Sequence, residues 1–212
     1  MQGMIDRQAF SRVLLPGLLA ASLVACASNP PRDSDDLCRI FEEKRAWYKA
    51  AIAMEERWDV PLNVPMAILY QESGFVAKAR APRNYTFFGL IPWGRKSSAY
   101  GYSQALDGTW QRYIDETGNR GADRDDFDDA IDFVGWYVNA TTTYNRVARD
   151  SAYHQYLNYH EGWTGYRSQR WAQKPWLKDA AARVDTRARR YAEQFQACKE
   201  ELSHGFWYRL FH

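Results

Sequence analysis

Glu72 interrupts the stretch Met66 to Phe75, MAILYQESGF, where an apolar stripe would otherwise continue. It follows Ile68 and Leu69 by four and three residues and precedes Phe75 by three, so on a helix its carboxyl emerges from an apolar face. Poor solvation there, and the negative end of the helix dipole in the last turn, both push a carboxyl pKa upward. A carboxylic acid kept protonated near neutral pH can serve as a general acid, which is what cleavage of a glycosidic bond requires. The same spacing is met equally by a helix rotated to turn Glu72 towards water, and periodicity leaves both placements open. Other chemistries lack their residues. His154, His160, His204 and His212 do not have metal-ligand spacing, and there is no CxxC, phosphate-binding glycine loop or nucleophile elbow. Neither a metal nor a cofactor is expected.

The segment carrying Glu72 is a predicted helix from Asn63, which offers an N-cap, with Pro65 in its first turn and Gly74 as its stop. Before it, Ile40, Lys44, Trp47, Ala51, Met54 and Trp58 recur at helical steps from Leu37, with Asp35 or Asp36 as the cap. Phe75 to Gln104 is irregular and rich in Pro, Gly and aromatic residues, the signature of loops or short strands. Helical spacing returns after Asp107, a candidate cap, and again through Phe127, Ile131, Val134, Val138 and Thr142. After a break at 160–176 a final helix runs from Leu177 to Glu201. The expected fold is mainly α, of α+β type: one helical domain with a small β or loop region beside the candidate site.

Of 212 residues, 46% are hydrophobic and 25% charged, enough for one well-cored domain. The formal charge of +2 is spread along the chain, which argues against nucleic acid as a partner. Aromatic residues reach 16%; core filling is the expected use of most of them, and surplus rings often line clefts where flat ligands or sugar rings stack. At the start, Arg7 and Arg12 precede a short apolar run broken by Pro16, a signal-peptide pattern over residues 1–25. The run ends in LVAC, which resembles the bacterial lipobox, so Cys26 is expected to carry lipid and become the mature N-terminus, with ordinary secretory cleavage as the alternative. Residues 26–36 then form a polar tether, and 37–212 the domain. An exported protein anchored through Cys26 faces the periplasm, and Ala27 after the cysteine is similar to outer-membrane sorting signals. Cys38 and Cys198 are the cysteines left, and in an oxidising compartment they pair by elimination. Such a bridge ties the first helix to the last and is worth roughly 4 to 5 kcal/mol on a chain-entropy estimate.

The string ILYQESGF resembles the Glu-Ser-Gly-Phe signature of the soluble-lytic-transglycosylase family, whose glutamate is a single catalytic acid and base. Three further strings follow in the family's order: AYGYSQALDGTW (Ala99 to Trp110), FDDAIDFVGWYV, and LNYHEGWTGY with its Tyr-x-x-Gly turn. The resemblance implies a lysozyme-like fold and cleavage of the β-1,4 bond between N-acetylmuramic acid and N-acetylglucosamine in peptidoglycan glycan strands, leaving a 1,6-anhydro end. It implies Glu72 as the catalytic residue, Ser73 supporting it by a hydrogen bond, and Gln104 and Tyr159 at the sugar, with Tyr102 and His160 beside them as substrate contacts. Tyr102-Ser103 stands where the family has Leu-Met, and His160-Glu161 replaces Asn-x in the turn. That ionisable pair either tilts the reaction towards hydrolysis, as in a muramidase, or faces solvent. A non-catalytic glycan-binding lipoprotein is the reading from a different class. The aromatic insert at 83–96, with Tyr85, Phe87, Phe88 and Trp93, is expected to wall or cover the cleft.

Overall fold

In the computed structural model, residues 29–86 and 91–203 are described, with only the backbone for 84–86 and 91–93. The signal segment, Cys26, Phe87, Phe88, His204 and His212 lie outside that set, as do the side chains of Tyr85 and Trp93.

The first expected helix is in fact two, α1 (Leu37–Glu43) and α2 (Arg45–Trp58), broken at Lys44. The break lets each half bury its apolar face on a different partner: α1 lies against α7 (Pro175–Ser203) and α2 against α5 (Phe127–Asn145). Asp36 caps α1, its carboxylate accepting from the Arg39 amide at 3.1 Å. Helix α3 (Asn63–Ser73) begins one residue earlier than a capping Asn63 would allow: Leu62 holds the cap position, and the Asn63 amide donates instead to Ala188 O of α7. After α3 comes a hairpin of β1 (Arg83–Thr86) and β2 (Ile91–Arg95), antiparallel with Arg83 opposite Arg95 and Thr86 opposite Ile91. Asp107 opens α4 (Asp107–Thr117) as its first residue rather than its cap, and pairs with Arg124 at 2.8 Å. Asp126 caps α5 by accepting from the Asp128 and Asp129 amides. Helix α6 (Ala152–Arg167) has a kink at Gly162, and a short 3₁₀ turn (Arg170–Gln173) leads into α7.

Helix α5 is the spine, packed by α2, α3 and α6, and most of its residues from Phe127 to Thr141 are buried. At Gly135 a Cβ would lie 2.5 Å from Met54 Sδ, so only glycine admits the close α2–α5 approach. One end of the core is tied by rings: Trp47 stacks on Phe127 with centroids 3.9 Å apart, and Phe75 and Tyr102 pack against the same indole. On the other side, Cys38 of α1 and Cys198 of α7 form a disulfide with Cα atoms 6.1 Å apart. The expected tether is held from Pro31 onward. Pro31 is buried, Arg187 donates to Ser34 O and to Asp35, and Gln194 donates to Asp35 O. These bonds to α7 make residues 31–36 part of the packed body. No helix among the described residues is long and apolar enough to cross a membrane.

Candidate active site

Glu72 occupies the last turn of α3, and the placement of that helix answers the rotation that spacing left open. Val64 to Leu69 are all buried, because α5 and α7 flank the helix, while its last residues, Tyr70 to Ser73, are half-buried. Glu72 keeps some accessible surface, but dense protein surrounds its carboxyl. Burial raises its pKa to about 7, against a smaller opposing effect of a hydrogen bond from the Tyr156 hydroxyl, which favours the charged form. No charged group contributes to that shift. The helix ends at Gly74 in the left-handed region (φ 60°), and Phe75 follows at φ 62°, an unfavourable geometry for a ring-bearing residue. Burial of Phe75 between Trp47 and Tyr70 holds that conformation, and with it the end of the helix.

The facing wall comes from α6. Tyr156 is mostly buried, and its phenol is pushed up by burial and by the charge and hydrogen bond of Glu72. Tyr159, one turn on, is likewise raised by burial first and by the charge of Glu72 second, without the hydrogen bond to the acid that Tyr156 makes. Tyr159 donates to Ser103 O at 2.6 Å and packs edge-on against Tyr137, centroids 5.0 Å apart. It also lines a cleft of about 210 Å³ with Gln104, Thr109, Phe133, His160 and Gly162. Tyr159 therefore lines the open cleft and lies within reach of the charge of Glu72.

The Gly101 to Gln104 turn forms the third side. Gly101 has φ 80°, and a Cβ there would overlap Arg124 O at 1.9 Å. Gln104, itself at φ 50°, anchors its amide nitrogen on Ala79 O and Gly101 O at 3.0 and 2.8 Å, leaving its side-chain oxygen as the group that can meet a ligand. Two expected contacts fall elsewhere. Ser73 donates to Leu69 O at 3.1 Å, so its hydroxyl secures the helix end and does not reach Glu72. Tyr102 is 2% exposed and packs on Trp47 and Phe127; it is core, and burial pushes its phenol up to about 12.

His160 does line the cleft, set edge-on to the exposed Trp176 at 5.0 Å. Its neighbour Glu161 is covered by two cations and a ring nitrogen: Lys174 Nζ lies 2.6 Å away, Arg170 Nε 3.4 Å and His160 Nδ1 3.2 Å. Burial alone would raise the Glu161 carboxyl, but the hydrogen bonds from Lys174 and His160 outweigh it and hold the group below its usual range. Glu161 thus clamps the α6 kink to the start of α7. Among the described residues no group of three potential metal ligands occurs. Tyr156 was missed by sequence reasoning; its one available signal was its position a helical turn before Tyr159, on the same face.

The sequence profile of the transglycosylase SLT domain matches residues 14–198, nearly the whole chain. The chain belongs to the transglycosylase SLT domain family. No curated protein matches it significantly. Family membership and the helical architecture with one small hairpin make this a single lysozyme-like SLT domain, and carry transglycosylase-type action on peptidoglycan as the general class of activity. Two of the four strings bring Glu72 close enough to act on the Tyr159 phenol, and Gln104 of a third borders the cleft that Tyr159 lines.

Proposed function

We propose that this SLT domain is a lytic transglycosylase that cuts the β-1,4 bond between N-acetylmuramic acid and N-acetylglucosamine, with Glu72 as its one acid and base. The observation that carries the reading is a carboxyl raised to about 7 by burial, with no charged group contributing to the shift. Hydrolysing glycosidases generally need a pair of carboxyls flanking the bond, the second to activate water or attack the sugar. The other buried carboxylate at the cleft, Glu161, is engaged by Lys174, Arg170 and His160. A single acid suffices when the substrate supplies the nucleophile. Protonated Glu72 gives its proton to the leaving glycosidic oxygen as that bond breaks. The resulting carboxylate takes the proton of the muramyl 6-hydroxyl as its oxygen bonds to the anomeric carbon, closing a 1,6-anhydro ring and returning Glu72 to its starting state. The Tyr156 hydroxyl, donating to the carboxylate, eases the charged half of the cycle. Gln104, Tyr159 and His160 hold the sugars, and a lipidated Cys26, left as the N-terminus once the signal segment is removed, would tether the enzyme to the outer membrane, facing the periplasm.

The test is to digest purified peptidoglycan with the full chain in detergent and identify the new ends by mass spectrometry. Anhydro-muramyl ends are expected, with formation slowed roughly 10³-fold in Glu72→Gln, within the range for loss of a general acid. Reducing ends would make the protein a muramidase. No product, with glycan binding retained, would make it a binding protein.

A further inference from the structure

A second groove, of about 480 Å³, opens behind the acid, between the end of α3 and the middle of α7. Tyr70 and Gln71 form its α3 side, two residues and one residue before Glu72; Arg183, Arg187 and Arg190, with Thr186, form the other. On a helix, positions 183, 187 and 190 fall on one face, so the three guanidiniums make a stripe. Their charge is unevenly neutralised. Arg187 lies over the Tyr70 ring at 3.4 Å and shares the Asp35 carboxylate with Arg190, at 2.7 and 2.8 Å. Arg183 has no hydrogen bond or ion pair among the described residues and is exposed, yet it is near enough to Tyr156 to act on its phenol. The least neutralised cation is thus the one nearest the acid's own hydrogen-bond partner.

We propose that this groove binds the peptide stem of peptidoglycan through its carboxylates, with Arg183 as the leading contact. The inference rests on the transglycosylase reading for its substrate and adds a subsite to it. Stem peptides hang from the muramyl residue, so a peptide beside the scissile bond must run along the protein close to Glu72. They carry several free carboxylates, which match the planar fork of arginine better than a point charge would. A groove starting one residue from the acid and ending at Arg190 gives the peptide a path away from the glycan cleft lined by Tyr159 and Gln104. Exposed ion pairs are individually weak, so the stripe favours peptide-bearing strands without making the peptide indispensable.

The test uses the full chain in detergent carrying Glu72→Gln, so that ligands are not consumed. Calorimetry compares a GlcNAc-MurNAc oligomer bearing tetrapeptide stems with the same oligomer stripped of peptide. The peptide-bearing oligomer is expected to bind roughly tenfold more tightly, the effect of about two exposed ion pairs. Adding Arg183→Gln should remove most of that preference, and Arg183→Lys should restore part of it. Equal affinity for the two oligomers, or an Arg183→Gln loss that is the same for both, overturns the proposal. So does binding to anionic phospholipid vesicles without any preference for peptide, which would make the stripe a membrane contact. The two readings fail separately: wild-type protein that forms no anhydro ends while the peptide preference persists sinks the transglycosylase assignment and leaves the groove.

Discussion

Two carboxyls lie near Tyr159 of α6, Glu72 within reach of its phenol and Glu161 at the cleft it lines, and their surroundings give them opposite properties. Glu72, at the end of α3, meets apolar packing and one neutral donor, Tyr156, and burial raises it to about 7. Glu161, beside the α6 kink, meets Lys174, Arg170 and His160, and is held below its usual range. Covering a carboxyl therefore does not decide its chemistry; the charges of the covering groups do. The first keeps a proton that it can give away near neutral pH. The second stays ionised and serves as a strut between α6 and α7.

The contrast is broken or sharpened most strongly by stability against pH in Glu72→Gln. A carboxyl whose folded pKa of about 7 exceeds its starting value of 4.5 binds more protons folded than unfolded between those values. Its contribution to stability is fully present below pH 4.5 and lost as pH rises through 7. Glutamine, which does not titrate, should make the protein more stable than wild type above pH 7, by at most about 3.5 kcal/mol at about 1.4 kcal/mol per unit, with the gain shrinking to nothing by pH 4.5. Urea unfolding at several pH values reads it, and a pH-independent difference would show that Glu72 is not a burial-raised acid. Glu161→Gln in the same titration should behave oppositely. A depressed pKa stabilises above the unfolded value and the effect disappears as pH falls through the folded one, so the variant should lose on the order of 1 to 2 kcal/mol at neutral pH and approach wild type in acid. The smallest effect belongs to Tyr156→Phe. Removing a donor that favours the charged form raises Glu72 further, so the decline of the cleavage rate at high pH should move upward by roughly half to one unit. A shift the other way would mean that Tyr156 does not donate to the carboxylate.

Much of the scaffold was legible as local pattern. The helices containing Trp47, Ile68, Trp110, Val134 and Val184 follow from apolar spacing, and the irregular stretch after Phe75 became a hairpin and the turn that seats Gln104. Where the expectation missed, a tertiary demand had overridden a local one. The break at Lys44 serves two packing partners, Asn63 is drawn from its capping role to Ala188 O, and Ser73 and Tyr102, similar in sequence position to substrate contacts, are used for a helix end and for the core. Only Gln104, Tyr159 and His160 of the expected sugar contacts border the cleft.

By itself the sequence determined which elements form and which residue types stand at their ends, because backbone preferences and apolar periods act over a few neighbouring positions. It also contained, in four ordered strings, the family to which the profile assigns the chain. Only the tertiary structure decided what surrounds each carboxyl. Periodicity points a side chain towards or away from a core only when a helix has a wet face, and the stretch of α3 from Val64 to Leu69 has none. Tyr156 reaches Glu72 from a helix more than 80 positions along the chain, and Lys174 neutralises Glu161 from across a turn. Coulomb interaction and desolvation depend on distance in space, so the acid and the strut could be told apart only once the chain had folded.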